Sequence, residues 1–347
     1  MRIVRVVVII QLLICTFHVE SDAGERTIVS PVMDVRIEQG HNTVFCSTFQ
    51  LAWNSMVNSI VLEKIFLEKD LDIVRSMNRM MYTSSDIEES DYYVASGFGS
   101  DNIARTINRE LKEKFGLHPP VVDEKYNDDD VIMAYAFLDK ELQYLHKFRE
   151  YGSPMRFGYG ETRPEVAGFG IGQGDSGLSV DQRSQVKILD YVDPGDFIIR
   201  IMSADEGEEI ILACVNPGET LLETFEDVEW RIANGSPARM RDGDVLIVPI
   251  LDVDIRHSYD QLLGLYLLNY DFKSYFVAEA RQDIRFKLDN KGTSLDSQSL
   301  LVLKKGGISG KSLIFSKPFM IYLRKKGGHY PYFAIWVGNE DVMVPGT

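Results

Sequence analysis

Cysteine, histidine and long apolar runs are scarce in this chain. Only three cysteines and six histidines occur in 347 residues. There is no CxxC pair and no His/Cys cluster, so neither a structural zinc site nor any other metal or cofactor is expected. No segment after the first seventeen residues approaches eighteen consecutive apolar positions, which leaves no candidate membrane helix. Positive charge is also in deficit: 37 Lys and Arg stand against 52 Asp and Glu, a net charge of −15. That balance argues against nucleic acid and anionic membrane as partners. The chain has no internal repeat and no Pro/Gly/Ser-rich linker, so nothing divides it into two domains.

The N-terminus has a recognisable form. Two arginines in MRIVR precede the largely apolar VVVIIQLLICTF (6–17), and small residues follow at Ser21 and Ala23. This reads as a secretory signal peptide over 1–23, cleaved before Gly24. The expected product is a secreted single domain over 24–347, extracellular or, in a bacterium, periplasmic. Export permits a disulfide between Cys46 and Cys214; buried thiols are the alternative and the reading adopted here.

The texture is α+β, helix-rich first and sheet-rich later. Over 42–58, Phe45, Phe49, Ala52, Trp53 and Met56 recur at helical spacing after a strand-like start. A helix is expected over 101–115, opened by Asp101 or Asn102 and closed by Gly116. Residues 131–149 suggest a strand running into a helix. From Gln185 onward, QVKILDYV, FIIRIMSA, EEIILACV, GDVLIVPIL and YFVAEARQDIRFKLD are strand-like. GETLLETFEDVEWRI and SYDQLLGLYLL read as short helices between them.

Three motifs invite a sharper reading. GFGIGQGDSGL (168–178) contains Gly174-Asp175-Ser176-Gly177, the letters around a serine-protease nucleophile. Neither the histidine context nor the strand pattern of such an enzyme accompanies it, so it is read as a glycine-rich surface loop and the chain as no enzyme. The alternating glycines lack the strand and helix of a phosphate cradle. The acidic runs at 84–91 and 127–130 lack calcium-loop spacing and read as solvated loops. Asn234-Gly235-Ser236 is a glycosylation sequon weakened by Pro237.

The last third carries a family pattern. RFKLDNKGTS (285–294) resembles the serpin hinge, where a long strand ends in acidic-x-Lys-Gly-Thr. Pro318 stands 26 residues after Gly292, in FSKPFMIYLR (315–324), similar to the serpin strand that follows the reactive loop. PYFAIWVGNEDVMVP (331–345), HNTVFCSTFQLA (41–52) and GDVLIVPILDVDIRHSYDQLLG (243–264) are similar to further serpin segments in the family's order. Two positions depart from the pattern. Cys46-Ser47 stands where the family has serine-proline, and the alanine run after the hinge glycine is missing.

The resemblance implies a serpin-like fold: a large mixed sheet with helices on one side, smaller sheets behind it, and an exposed reactive-type loop at about 293–312. It implies a peptidase inhibitor whose loop, once cut by a serine protease, inserts into the main sheet and carries the acyl-linked enzyme to the far pole. The hinge falls on Gly292, Thr293, Ser294 and Leu295. The scissile candidates are Lys305, with Lys304 and Gly306 beside it. A lysine there suits a trypsin-like or dibasic-cleaving protease with an acidic pocket. The alternative is a non-inhibitory serpin-fold protein with a binding, storage or carrier role, most simply a monomer in either case. Alternation supports insertion: with Thr293 inward, Leu295, Ser297, Ser299, Leu301 and Leu303 follow it, and no charge falls in that set.

Overall fold

The computed structural model describes residues 26–117, 121–126, 131–172, 179–291 and 310–346. The continuous apolar runs become a sheet buried on both faces. Its eight strands lie in the order β1 (Thr27–Ser30), β2 (Asn42–Cys46), β18 (Phe333–Val337), β17 (Phe319–Lys325), β11 (Glu208–Cys214), β10 (Asp196–Met202), β9 (Val186–Asp193) and β12 (Ala238–Arg239). Only β1 and β2 pair in parallel. A four-stranded sheet follows the order β14 (Leu251–Ser258), β15 (Ala280–Leu288), β4 (Ile132–Glu141) and β3 (Tyr92–Phe98). A second four-stranded sheet is β16 (Ser312–Ile314), β13 (Val245–Pro249), β8 (Gly168–Ile171) and β5 (Arg149–Glu150), and β6 (Met155–Arg156) pairs with β7 (Glu165–Val166). Sequence and structure agree on an α+β fold with a large mixed sheet and smaller ones.

Among the described residues there are five α-helices: α1 (Thr48–Met56), α2 (Asp72–Met77), α3 (Ile103–Phe115), α4 (Ser179–Ser184) and α5 (Leu221–Asn234). The periodic residues of α1 are buried, and the helix continues into a π-turn that stops at Leu62, in the left-handed region at φ 60°. The Thr220 hydroxyl caps α5 by accepting from the Glu223 amide at 3.1 Å. Its apolar face, Leu221, Phe225 and Val228, joins the core of the large sheet.

Three expectations need correction. Residues 142–149 form no helix, because Tyr144 and Phe148 turn inward onto Phe169, with ring centroids 6.1 and 5.6 Å from it. The backbone there bonds to neighbouring strands instead of to itself. SYDQLLGLYLL contributes only a 3₁₀ turn at Asp260–Leu262; Gly264, at φ 73°, breaks it, and the following residues pair as short extended segments. The third helix begins at Ile103, since Asn102 is left-handed and makes no side-chain cap. Helices cover both faces of the four-stranded sheet. Strand alternation sends Ile132 and Ala136 of β4 toward α1, and Met133, Tyr135 and Phe137 toward α3.

Cys46 ends β2 and Cys214 ends β11; both are buried free thiols. Burial raises each thiol pKa to about 11. A chain starting at Gly24 is therefore expected to show two thiols in denaturant without reductant, and neither reacting promptly when native. A titre of zero under those conditions would establish a disulfide.

Candidate functional site

β15 ends at Leu288, and the chain passes through Asp289, Asn290 and Lys291 before it is described again from Gly310. The hinge positions Gly292, Thr293, Ser294 and Leu295 lie outside the described residues, as do Lys304, Lys305, Gly306 and the GDSG segment. The flanks of the loop are well held. The Lys291 amide donates to Asp289 Oδ1 at 2.8 Å, Phe148 N to Asn290 O at 3.0 Å and Tyr144 N to Lys291 O at 3.3 Å, while Lys291 Nζ pairs with Glu141. On the return side, Lys311 N donates to Asp244 Oδ1 at 2.6 Å and Val245 N to Lys311 O at 3.0 Å. A Cβ on Gly310 would lie 2.1 Å from the Gly243 carbonyl oxygen, so only glycine fits there. The two flanks belong to different sheets, one following β15 and the other leading into β16.

The sequence suggested that a cut loop enters the main sheet. The hinge strand β15 belongs to the four-stranded sheet, where one of its two seams is with β4. These strands pair in parallel through eight residues, from Ala280↔Ala134 to Lys287↔Glu141. Ala134, Ala136 and Ala280 occupy one end of its inner face and leave little side-chain volume there. Deeper in, Gln282 is fully buried. Its Nε2 donates to Thr48 Oγ1 at 2.8 Å and to Cys46 O at 3.1 Å, and its Oε1 accepts from Tyr259 OH at 2.6 Å. This network ties β15 to the start of α1. The acceptors beneath the sheet are the Cys46 backbone carbonyl and the Thr48 hydroxyl, with the Cys46 thiol 3.3 Å from that hydroxyl.

The outer face of the seam is clamped by side chains. Tyr135 OH of β4 donates to Asp283 Oδ2 of β15 at 3.0 Å. The guanidinium groups of Arg281 and Arg285 on β15 lie 5.7 Å from the ring centroids of Tyr135 and Phe137. A strap adds to this. Asn108 of α3 accepts from the amides of Val121 and Val122 at 2.8 and 2.9 Å and donates to Val122 O at 2.7 Å. Arg281 Nη2 then donates to Val121 O at 2.6 Å. Because α3 sits over β3 and β4, this contact carries the strap across the seam to β15. Arg281→Ala is expected to speed any separation of β4 from β15. Faster hydrogen exchange confined to the amides of 134–141 and 280–287 would show this, and unchanged exchange there would count against the clamp.

At the hinge end, Lys140 of β4 lies inside an acidic cluster. Its Nζ is 2.6 Å from Asp91 Oδ2 and 3.0 Å from Glu208 Oε1, and Tyr332 OH bonds to Glu208. Burial opposes the Lys140 charge, but Glu208 and Asp91 more than offset it, and its pKa is raised. Burial pushes the Glu208 carboxyl up more strongly than Lys140 and Tyr332 pull it down. The acidic run 84–91 is thus partly structural: Asp86 caps a turn at the Thr83 amide, Glu88 pairs with Lys325 at 2.8 Å, and Asp91 holds Lys140. The run at 127–130 lies outside the described residues. Sequence reading missed Gln282, Arg281 and Lys140, whose partners are far away in the chain and leave no local spacing signal.

No protein-family model matches the chain, and no curated protein matches it by sequence. Solved structures do match its shape. Serpin48, described as a highly specific serpin in the insect Tenebrio molitor, aligns with a TM-score of 0.53 at 10% identity, covering 87% of this chain and 92% of that one. SRPN18 from Anopheles gambiae gives 0.53 at 10% identity over 87% and 93%. The mouse protein-Z dependent protease inhibitor gives 0.56 at 13% identity over 86% and 91%. The fold described above is the serpin fold.

Proposed function

We propose that this chain, a serpin fold with its seam closed, is a secreted single-domain inhibitor of a serine protease that uses residues 292–309 as bait. The observation that carries the reading is the course of the described chain that leads to them: Asp289, Asn290 and Lys291 continue directly from β15, one side of a parallel seam whose inner face is lined at one end by alanines. The mouse neighbour's name as a protease inhibitor points the same way.

In this reading the protease serine attacks the carbonyl carbon of Lys305. The Lys305–Gly306 bond breaks, and the amine of Gly306 leaves with the proton that the protease histidine took from its serine. The N-terminal side of the cut, still acyl-linked, then separates β4 from β15 and inserts between them. The inserted strand replaces the one ladder between β4 and β15 with two new ones. Lys305 selects a protease with an acidic specificity pocket, Lys304 and Gly306 flank the cut, and Gly292 to Leu295 form the hinge. The protein acts as a monomer and needs no cofactor.

The test is incubation with trypsin at equal molarity, followed by a denaturing gel. A covalent species at the summed mass less the released residues 306–347 is expected, and Lys305→Ala is expected to abolish it. Clean cleavage at Lys305 with full residual trypsin activity would overturn the inhibitory reading.

A further inference from the structure

A cleft of about 320 Å³ opens between the strap and the start of β15. Asp123 and Lys125 of the strap form one wall. Ser258 at the end of β14, Leu263, Ala278, Glu279 and Arg281 form the other. Ser258 is the register partner of Arg281. Gly264 N donates to Val277 O at 2.9 Å, which sets Leu263 beside Ala278. Arg281 Nη2 ties the two walls together by donating to Val121 O at 2.6 Å. Each wall carries one acid and one base. Lys125 Nζ lies 3.1 Å from Asp123 Oδ2, and Arg281 Nη1 lies 3.4 Å from Glu279 Oε1. The first pair stands at the rim, its side chains 63% and 58% exposed; the second lies deep, at 16% and 20%. The deep pair is loose, since a charge-assisted hydrogen bond of this kind spans about 2.7–2.9 Å. Arg281 directs other donors to Asp283 and to Val121 O. A carboxylate offers about four acceptor positions, so Glu279 keeps room for a further donor from the cleft.

The charge pattern indicates the ligand. A simple anion would meet Asp123 and Glu279, and a simple cation would meet Lys125 and Arg281, each at a cost in repulsion. A molecule that carries both charges finds a partner for each. Leu263 and Ala278 add an apolar patch to the same wall as Glu279. We infer that the cleft binds a small zwitterion, a free α-amino acid with an apolar side chain. Its ammonium group donates to Glu279 at depth, its carboxylate accepts from Lys125 at the rim, and its side chain lies on Leu263 and Ala278. The volume falls at the low end of the roughly 300–1,000 Å³ of small-molecule sites, which suits a ligand of that size. The bound molecule links the strap to β15 alongside the Arg281–Val121 contact. Because the strap crosses the seam between β4 and β15, binding favours the closed seam. The site stands whether or not the chain inhibits a protease, for none of its residues belongs to the bait.

The experiment titrates the chain from Gly24 to Thr347 with L-leucine in a calorimeter. Saturable binding with a Kd of about 1 mM or below is expected. L-leucine methyl ester lacks the negative charge and N-acetyl-L-leucine the positive one. Each is expected to bind at least about tenfold more weakly. Glu279→Gln and Lys125→Met are each expected to weaken leucine binding about tenfold or more. Glu226→Gln, at an exposed carboxylate on α5, is expected to leave it unchanged. At ten times Kd, the amides of 134–141 and 280–287 should exchange about tenfold more slowly. Unchanged melting of each unliganded variant excludes misfolding, and the two analogues carry the test where a variant does not fold. Absence of saturation up to about 20 mM leucine would overturn the site. So would binding of either analogue, or of leucine to Lys125→Met, within about twofold of leucine to wild type. Binding that shows the expected pattern yet leaves exchange at 134–141 and 280–287 unchanged would overturn the link to the seam.

Discussion

Cutting the chain at Lys305 is expected to raise the midpoint of its heat unfolding by about 5 to 15 °C. Nicking an ordinary surface loop leaves stability unchanged or lowers it. Here the freed residues 293–303 would become a central strand between β4 and β15. Three leucines of the inward set, at 295, 301 and 303, would leave water, each contributing roughly 1.5–3 kcal/mol on full burial. The inner face can take them where Ala134, Ala136 and Ala280 line the seam. Several terms oppose the gain. Separating the strands breaks the Tyr135–Asp283 bond and the Arg281–Val121 contact, each worth about 1 kcal/mol net. Leu295 near the hinge adds overpacking of about 1–3 kcal/mol. The balance still favours the inserted form, and the backbone gains a ladder. The measurement is a melting curve before and after limited trypsin digestion, with the cut site read by mass spectrometry. A midpoint that stays the same or falls, with the cut confirmed at 304–306, would mean that the loop does not insert.

Replacing Lys140 by methionine is expected to destabilise the uncut protein by about 3–5 kcal/mol, a fall of roughly 10 °C in the midpoint. Lys140 is 8% exposed, and its ammonium group faces two carboxylates, Asp91 and Glu208. Methionine keeps most of the volume of the side chain but leaves buried negative charge without its partner. The deficit has a predictable dependence on pH. In wild type the Glu208 carboxyl is already raised by burial, and loss of Lys140 raises it further. A carboxylate with a raised folded pKa takes up a proton more readily in the folded state, so its penalty grows as pH rises and disappears as pH falls. The gap between wild type and variant should therefore be widest near neutral pH and narrow toward about pH 4–5. Lys140→Met/Glu208→Gln should recover a good part of the loss at neutral pH. Urea midpoints across that range would test this, and a gap independent of pH would assign the loss to packing alone.

The sequence alone determined what depends on neighbours within a few residues. Continuous apolar runs such as FMIYL and FAIWV became β17 and β18, buried on both faces, and the spacing of Phe49, Ala52, Trp53 and Met56 became α1, because side-chain direction along a helix or strand follows local backbone geometry. The hinge-like RFKLDNKGTS and its distance to Pro318 pointed to the fold, since a chain-order pattern survives substitutions that erase most identity. Tertiary structure decided the rest. Residues 142–149 carry helix-compatible letters, yet Tyr144 and Phe148 gain more by filling the space between sheets than a single helical turn could return. The seam between β4 and β15 joins residues 146 positions apart, as at Ala134 and Ala280, and no local signal states that two such strands pair in parallel. Arg281 reaches Val121 across 160 positions and Gln282 reaches Cys46 across 236. Contacts of that span are set by how the layers pack, because a hydrogen-bonding side chain takes whichever partner the finished fold brings within about 3 Å.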